Sequence, residues 1–308
     1  MSVMRSVLLA GSTNAWLRER ATKYAFVKRS VRRFMPGEQI EDALAAAREL
    51  QTGRITTILT RLGENITTAA EADEVTGHYL DVIDKATAAG LDAQISIKPT
   101  QLGLDLDRGM CERNLDRIVE RAEARGNFVW IDMESSPYVE PTLALFRRTR
   151  ARTSRIGIAL QAYLYRTAKD VESLLPLGPA IRIVKGAYLE PPDIAYPRKQ
   201  DVDENYYSLC VRLLAPDAAP GTLLHIATHD AALVDRLSAH VQQGRVPASR
   251  YEFAMLYGIQ RGLQLRLVRE GKPLRVLISY GDYWFPWYMR RLAERPANVW
   301  FVMKNLFG

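Results

Sequence analysis

The chain is poor in cysteine. Cys111 and Cys210 are the only two in 308 residues, and they belong to no C-x-x-C pair. That argues against a disulfide framework and leaves both as small buried hydrophobes. No apolar run reaches the ~18 residues that suggest a membrane span. The stretch 3–10, V-M-R-S-V-L-L-A, is short for a secretory core and is interrupted by Arg5, so a cytoplasmic, reducing location is expected. Also absent are H-E-x-x-H, a Walker lysine loop, G-x-G-x-x-G and G-x-S-x-G. The zinc-protease, P-loop, dinucleotide-fold and serine-hydrolase readings therefore have no support. Of the four histidines, His225 and His229 have the spacing of helical metal ligands. They lie on a strand-like run, where ~3.3 Å per residue puts them about 13 Å apart, so no shared metal is expected. His78 and His240 sit in helical, polar contexts and read as surface residues.

What the chain does have is an ordinary globular balance, 47% hydrophobic and 25% charged, with ample length for a core. Its formal net charge of +7 comes largely from arginine. Such a balance suits an anionic partner: a phosphate-bearing cofactor, a carboxylate substrate or an anionic membrane surface. No nucleic-acid motif accompanies it, and no nucleic-acid partner is expected. Residues 16–34 form a basic stretch in which Trp16, Tyr24, Val27, Val31 and Phe34 fall roughly on helical spacing. It reads as an amphipathic helix packed on the main domain, with transient membrane-surface contact as the alternative.

Beyond Pro36 the pattern alternates. Helical stretches such as 39–50 and 69–89 separate short apolar runs at 55–60, 93–98, 128–133, 155–161, 180–185, 223–228, 251–255 and 275–279. Each run is nearly continuous in apolar residues, as a parallel sheet covered on both faces requires. Eight such units predict a (β/α)₈ TIM barrel over residues 51–308, preceded by a helical extension over 1–50. An open doubly wound sheet is the alternative.

In a barrel the chemistry lies at the C-terminal strand ends. Those ends carry Arg61 and Glu64, Lys98, Asp132 and Glu134, Gln161, Arg182 and Lys185, and Thr228 and His229. In 181–188, I-R-I-V-K-G-A-Y, two basic residues precede Gly186 and Ala187, and small residues let a ligand approach the backbone. Near the C-terminus, Tyr283, Trp284, Trp287 and Tyr288 precede Arg290 and Arg291 on an expected helix ended by Pro296, with Glu294 in reach of either arginine. Two forked guanidiniums beside aromatics suit a small carboxylate with an apolar body.

These segments resemble the proline dehydrogenase family, both its monofunctional bacterial members and the matching domain of bifunctional proline utilisation proteins. The similar stretches are R-L-G-E (61–64), S-I-K-P-T-Q-L-G (96–103), I-D-M-E (131–134), Q-A-Y-L-Y-R (161–166), R-I-V-K-G-A-Y (182–188), A-T-H-D (227–230), E-F-A-M-L-Y-G (252–258) and Y-M-R-R-L-A-E-R-P-A-N (288–298). They keep the family's order across roughly 55–305, whereas 1–50 carries no comparable motif. The resemblance implies a distorted barrel holding FAD at the strand C-termini. It implies oxidation of L-proline to 1-pyrroline-5-carboxylate by hydride transfer to flavin N5, with electrons passed to a quinone. By similarity, Arg290, Arg291 and Lys98 would bind the substrate carboxylate, and Glu64 would pair with Arg290 as part of a gate. Asp132 would be the active-site acid, able to take the amine's proton, and Arg182 would place positive charge beside the flavin. Met133, Gln161, Lys185, Gly186, Ala187, Thr228 and His229 match flavin-contacting positions. Tyr188 and Leu256 would line the substrate ring, and Glu294 would hold the cofactor or Arg291.

The chain departs from the family pattern in R-V-L-I-S-Y-G (275–281), where Leu277 stands in place of the usual tyrosine and Ser279 in place of a proline. Thr60 replaces a frequent aspartate, and Pro99 a usual leucine. The clamp and flavin positions are kept while the ring-side wall, with Leu277 as a candidate substrate contact, has changed. The alternatives are a dehydrogenase of hydroxyproline or another cyclic amino acid, or a flavin-binding barrel without turnover. A flavin-free barrel acting on a phosphorylated metabolite through Arg182 and Lys185 is a further class.

Overall fold

The computed structural model describes residues 31–63, 66–285 and 287–289. Eight strands close into one parallel barrel in sequence order: β1 (Thr56–Arg61), β2 (Ala93–Ile97), β3 (Val129–Ile131), β4 (Ile156–Gln161), β5 (Ala180–Val184), β6 (Leu223–Ala227), β7 (Tyr251–Leu256) and β8 (Leu274–Tyr280). All eight expected strands are present, each within one or two residues of its apolar run. The closing pair, β1 with β8, runs in register from Thr56 opposite Arg275 to Arg61 opposite Tyr280. The open doubly wound alternative is thereby excluded.

Helices occupy the outside: α1 (Ile40–Thr52), α2 (Ala69–Ala88), α3 (Arg108–Ala124), α4 (Val139–Arg150), α5 (Thr167–Leu174), α6 (Lys199–Leu214), α7 (Ala231–Gln243) and α8 (Arg261–Arg269). Their starts follow local chemistry. Thr68 and Glu71 form a reciprocal capping box at α2, and Asp107 and Asp230 accept from first-turn amides of α3 and α7. No described helix is long and apolar enough to cross a membrane.

The alternation of a strand explains the two-sided core. Outward residues such as Leu59, Ile95, Ile131, Ile158, Ile183, Ile226, Phe253 and Val276 join the helix faces in one large cluster. Inward, Ile58, Trp130 and Ala180 form a separate small cluster with Leu277 packed against it. Cys111 and Cys210 are buried and unpaired, and burial pushes the Cys111 thiol up to about 12.

The lower half of the barrel is unusually polar for a space normally filled by branched aliphatics. Arg275 donates to Glu252 (2.6 and 3.1 Å), to the Thr57 carbonyl (3.1 Å) and to Asp92 (2.8 Å), so β8 is tied to β7, to β1 and to the turn before β2. Glu252 Oε2 lies 3.2 Å from the fully buried His225.

Of the basic stretch 16–34, residues up to 30 lie outside the described ones. Val31, Phe34 and Met35 pack with Leu62, Trp284, Phe285, Trp287 and Tyr288. Most of the aromatic wall thus faces this segment, and Trp284 donates to Glu38 at 2.9 Å. His78 is not a free surface residue: α2 half-buries it, and its Nε2 lies 2.8 Å from the Tyr280 hydroxyl. The helical period shows that His78 is on α2 but cannot show that β8 ends beside it.

Candidate active site

Where the strands end, the inward positions change from large to small or charged. Ala159 on β4, Ala227 on β6 and Ala254 on β7 leave room above the polar floor, and a cavity of about 660 Å³ opens there. Its wall includes Lys98, Asp132, Met133, Gln161, Arg182, Lys185, Gly186, Ala187, Tyr188, Thr228, His229, Leu256 and Leu277. Thirteen candidates scattered over 180 residues of sequence are therefore brought together. Glu64, Arg290, Arg291 and Glu294 lie outside the described residues. Arg61 and Glu134 are strand-end residues that do not line the cavity. Arg61 pairs with Glu74 at 3.0 Å. Glu134 is buried, taking the Thr100 hydroxyl at 2.6 Å and its amide at 3.1 Å.

The charged centre is a relay across three strands. Asp132 follows β3 and accepts from Ser96 Oγ (2.8 Å), from Lys98 Nζ (3.0 Å) and from Arg182 Nη2. Arg182 Nη2 also reaches Ser96 Oγ at 2.9 Å. Burial alone would raise the Asp132 carboxyl, but Lys98 and then Arg182 overcome it and hold the group below the usual carboxylate range. For Lys98 the opposing effects resolve the same way: burial disfavours the ammonium, and Asp132 more than restores it. The result is an ionised triad with a net positive charge facing the cavity. Lys98 has spent one of its three donors on Asp132.

Three buried polar atoms among the residues of this wall have no protein partner: Thr60 Oγ1, Gln161 Oε1 and Arg182 Nη1. Such groups are costly to leave unsatisfied, so they mark a place where a ligand donates and accepts. Gly186 completes the cradle. Its φ is +120°, and a Cβ there would lie 2.3 Å from the Tyr163 ring; only glycine lets the chain cross that ring so closely. These features fit a flat, polar-edged ring system such as the flavin expected from the sequence.

On the far side, Lys185 donates to Asp203 (2.5 Å) and Asp230 (2.8 Å), and Lys199 pairs with the same two acids. Asp230 caps α7 with one oxygen (3.2 Å) while the other holds Lys185. Its carboxyl, which burial would raise, is held far below the usual range by Lys185 and Lys199. His229 Nε2 accepts the Leu256 amide at 2.8 Å, joining the ends of β6 and β7.

Sequence reasoning missed Ser96, Trp130, Asp203 and Asp230, whereas Trp287, one of the aromatics expected beside Arg290, does line the cavity. A signal existed for the first two: each stands two residues before a candidate on the same strand, Ser96 before Lys98 and Trp130 before Asp132, and so shares its inward face. In sequence Asp203 is an ordinary acid in the second turn of α6 and Asp230 an ordinary N-cap of α7, and only the fold shows that both meet Lys185.

Comparison with known proteins adds independent information. Residues 43–304 match the family model described as proline dehydrogenase. The chain is 36% identical over 305 residues to Proline dehydrogenase 1 of Bacillus subtilis subsp. natto, covering 99% of each chain. It is 38% identical over 279 residues to Proline dehydrogenase of Deinococcus radiodurans, covering 89% of each. Among solved structures, proline utilization A from Bdellovibrio bacteriovorus, inactivated by N-propargylglycine, aligns with a TM-score of 0.81 at 22% identity over 94% of this chain and 36% of that one. At that identity the likeness concerns the fold.

Proposed function

The chain belongs to the proline dehydrogenase family, and from that premise we propose that it oxidises L-proline to 1-pyrroline-5-carboxylate with FAD bound in the cavity at the strand C-termini. The observation that carries this reading is the cavity in which a cationic triad, three unpartnered buried polar atoms and a glycine cradle meet. When bound, the flavin supplies the two-electron acceptor for the hydride on the carbon beside the amine.

The protein's own residues orient and charge the site. Lys98, with Arg290 and Arg291, holds the substrate carboxylate and fixes the ring's direction. Tyr188, Leu256 and Leu277 enclose the apolar ring and exclude water. Arg182 would set positive charge at the floor beside the flavin. Met133, Gln161, Lys185, Gly186, Ala187, Thr228 and His229 hold the cofactor, Glu294 supports it or Arg291, and Glu64 gates the site through Arg290. Asp132 we read as the group that orients Lys98 and Arg182. Its lowered proton affinity makes it a poor acceptor for the amine's proton, which leaves to solvent instead. Electrons would pass on to a quinone, with transient contact of the basic stretch 16–34 at an anionic membrane surface as the alternative to its packing on the main domain.

Leu277 favours a second reading. It stands on the cavity wall without a hydrogen-bonding group, which suits a substituted or more apolar ring. An anaerobic absorbance spectrum decides between the readings. A flavin band bleached by L-proline is expected. Bleaching only by another cyclic amino acid would shift the substrate, and a protein that takes up no flavin on reconstitution would overturn the reading.

A further inference from the structure

Beneath the cavity, Trp130 is fully buried and points inward from β3. Its ring occupies the gap left by Gly157 on β4, where a Cβ would lie 2.6 Å from the indole edge. Its Nε1 donates to Gln94 Oε1, in β2, at 2.6 Å. Its other neighbours are the His225 ring on β6, at 4.1 Å between centroids, and the Arg182 guanidinium on β5, with Cζ 5.2 Å from the ring centre. One side chain from β3 thus meets the four strands β2, β4, β5 and β6.

Arg182 needs such a support. Its contacts to Asp132 and Ser96 both run through Nη2, and Nη1 has no protein partner. A planar guanidinium tethered at one nitrogen can pivot about that end, and a pivot would shift the cation beside the cavity. An aromatic face against the cation restricts the pivot and favours the charge. We propose that Trp130 is a positioning residue for Arg182, held upright by Gln94 and wedged by His225, so that the guanidinium keeps its place in the cavity wall. This rests on the reading of Arg182 as the flavin-side cation.

The test uses the FAD-loaded enzyme. Gln94→Leu frees the indole nitrogen without emptying the core, and Trp130→Phe keeps an aromatic face but loses the anchor. Anaerobic stopped-flow gives the flavin reduction rate at saturating L-proline, and titration gives KM and the flavin midpoint potential. The expected result is a rate lower by about tenfold in Trp130→Phe and about threefold in Gln94→Leu, with KM within about twofold and a shifted potential. On an Arg182→Lys background, Gln94→Leu should then have little further effect, because the planar cation it serves is gone. Full multiplication of the two effects would overturn the proposal. So would variants that melt earlier yet reduce flavin at the unsubstituted rate and potential. Should Trp130→Phe fail to fold, Gln94→Leu and its double variant carry the test alone. Failure of the functional reading is separately visible as a flavin band in the unsubstituted protein that L-proline does not bleach.

Discussion

Asp132→Asn is the most informative single change, because the structure assigns that carboxylate a charge-pairing role with a definite size and pH signature. Asparagine keeps the shape and a partner for Ser96 but removes the only acid between Lys98 and Arg182 among the described residues. Removing one member of a buried pair costs about 3–5 kcal/mol. Here the Asp132 and Lys98 side chains are 18% and 14% exposed to the cavity, so water screens part of the remaining repulsion and the lower end, about 3 kcal/mol, applies. For a chain of this size that corresponds to roughly 6 °C in Tm. The sign with pH follows from the lowered carboxyl. A group whose folded pKa is depressed stabilises fully above its unfolded value, near 3.9, and loses that contribution only as pH falls below it. The carboxyl's own share of the gap between Asp132→Asn and the unsubstituted protein should therefore be constant from pH 5 to 8 and be lost only in stronger acid. Denaturant unfolding across that range measures it. A gap below about 1 kcal/mol, against the roughly 3–5 expected for a buried pair, would refute the ionised triad.

Three further changes probe the rest of the site. Leu277→Tyr restores a hydroxyl on the wall beside Ile58 and Trp130 and should lower KM for L-proline several-fold; no gain with flavin still bound would show that Leu277 does not set selectivity. Arg291→Lys should raise KM about tenfold or more while flavin content stays constant, since a single ammonium cannot fork; an unchanged KM would remove Arg291 from the clamp. Gly186→Ala forces a Cβ into the Tyr163 ring at a φ of +120° and should cost about 1–3 kcal/mol of stability together with most of the bound flavin. Full flavin occupancy in that variant would exclude the cradle.

The barrel was legible because its physics leaves a one-dimensional trace. Strands covered on both faces appear as continuous apolar runs, and where they emerge the run stops at a charge, as at Lys98, Asp132 and Lys185. The short β3 shows the limit of that trace: the apolar run extends through Met133, yet pairing ends at Ile131 and Asp132 is already part of the site. Contacts between strands leave no such trace. Gly157 looks like a weak point in β4 until Trp130 is found filling its place. His225, Glu252 and Arg275 alternate with apolar residues as solvent-facing positions would, and their burial depends on the sheet having closed. Lys185 finds its partners 18 and 45 residues downstream, in two elements that only the barrel brings side by side. The expected carboxylate clamp, Arg290 and Arg291, was the most pointed chemical signal in the sequence, and both residues lie outside the described ones.

Arg275 has a consequence for synthesis of the chain. It is the buried cation that Glu252 requires, it reaches the first strand and the turn before the second, and it is carried by the last strand to be made. A nascent chain that has emerged as far as β7 already contains an acid destined for the interior, with no guanidinium to meet it. Its sheet also still has two open edges, at β1 and β7. Sealing the cylinder and neutralising its interior are thus one event, deferred until β8 leaves the ribosome. Chains terminated before that point stay open, with unpaired strand edges that chaperones and proteases can recognise. A single side chain ties neutralising the barrel's interior to the strand that closes it.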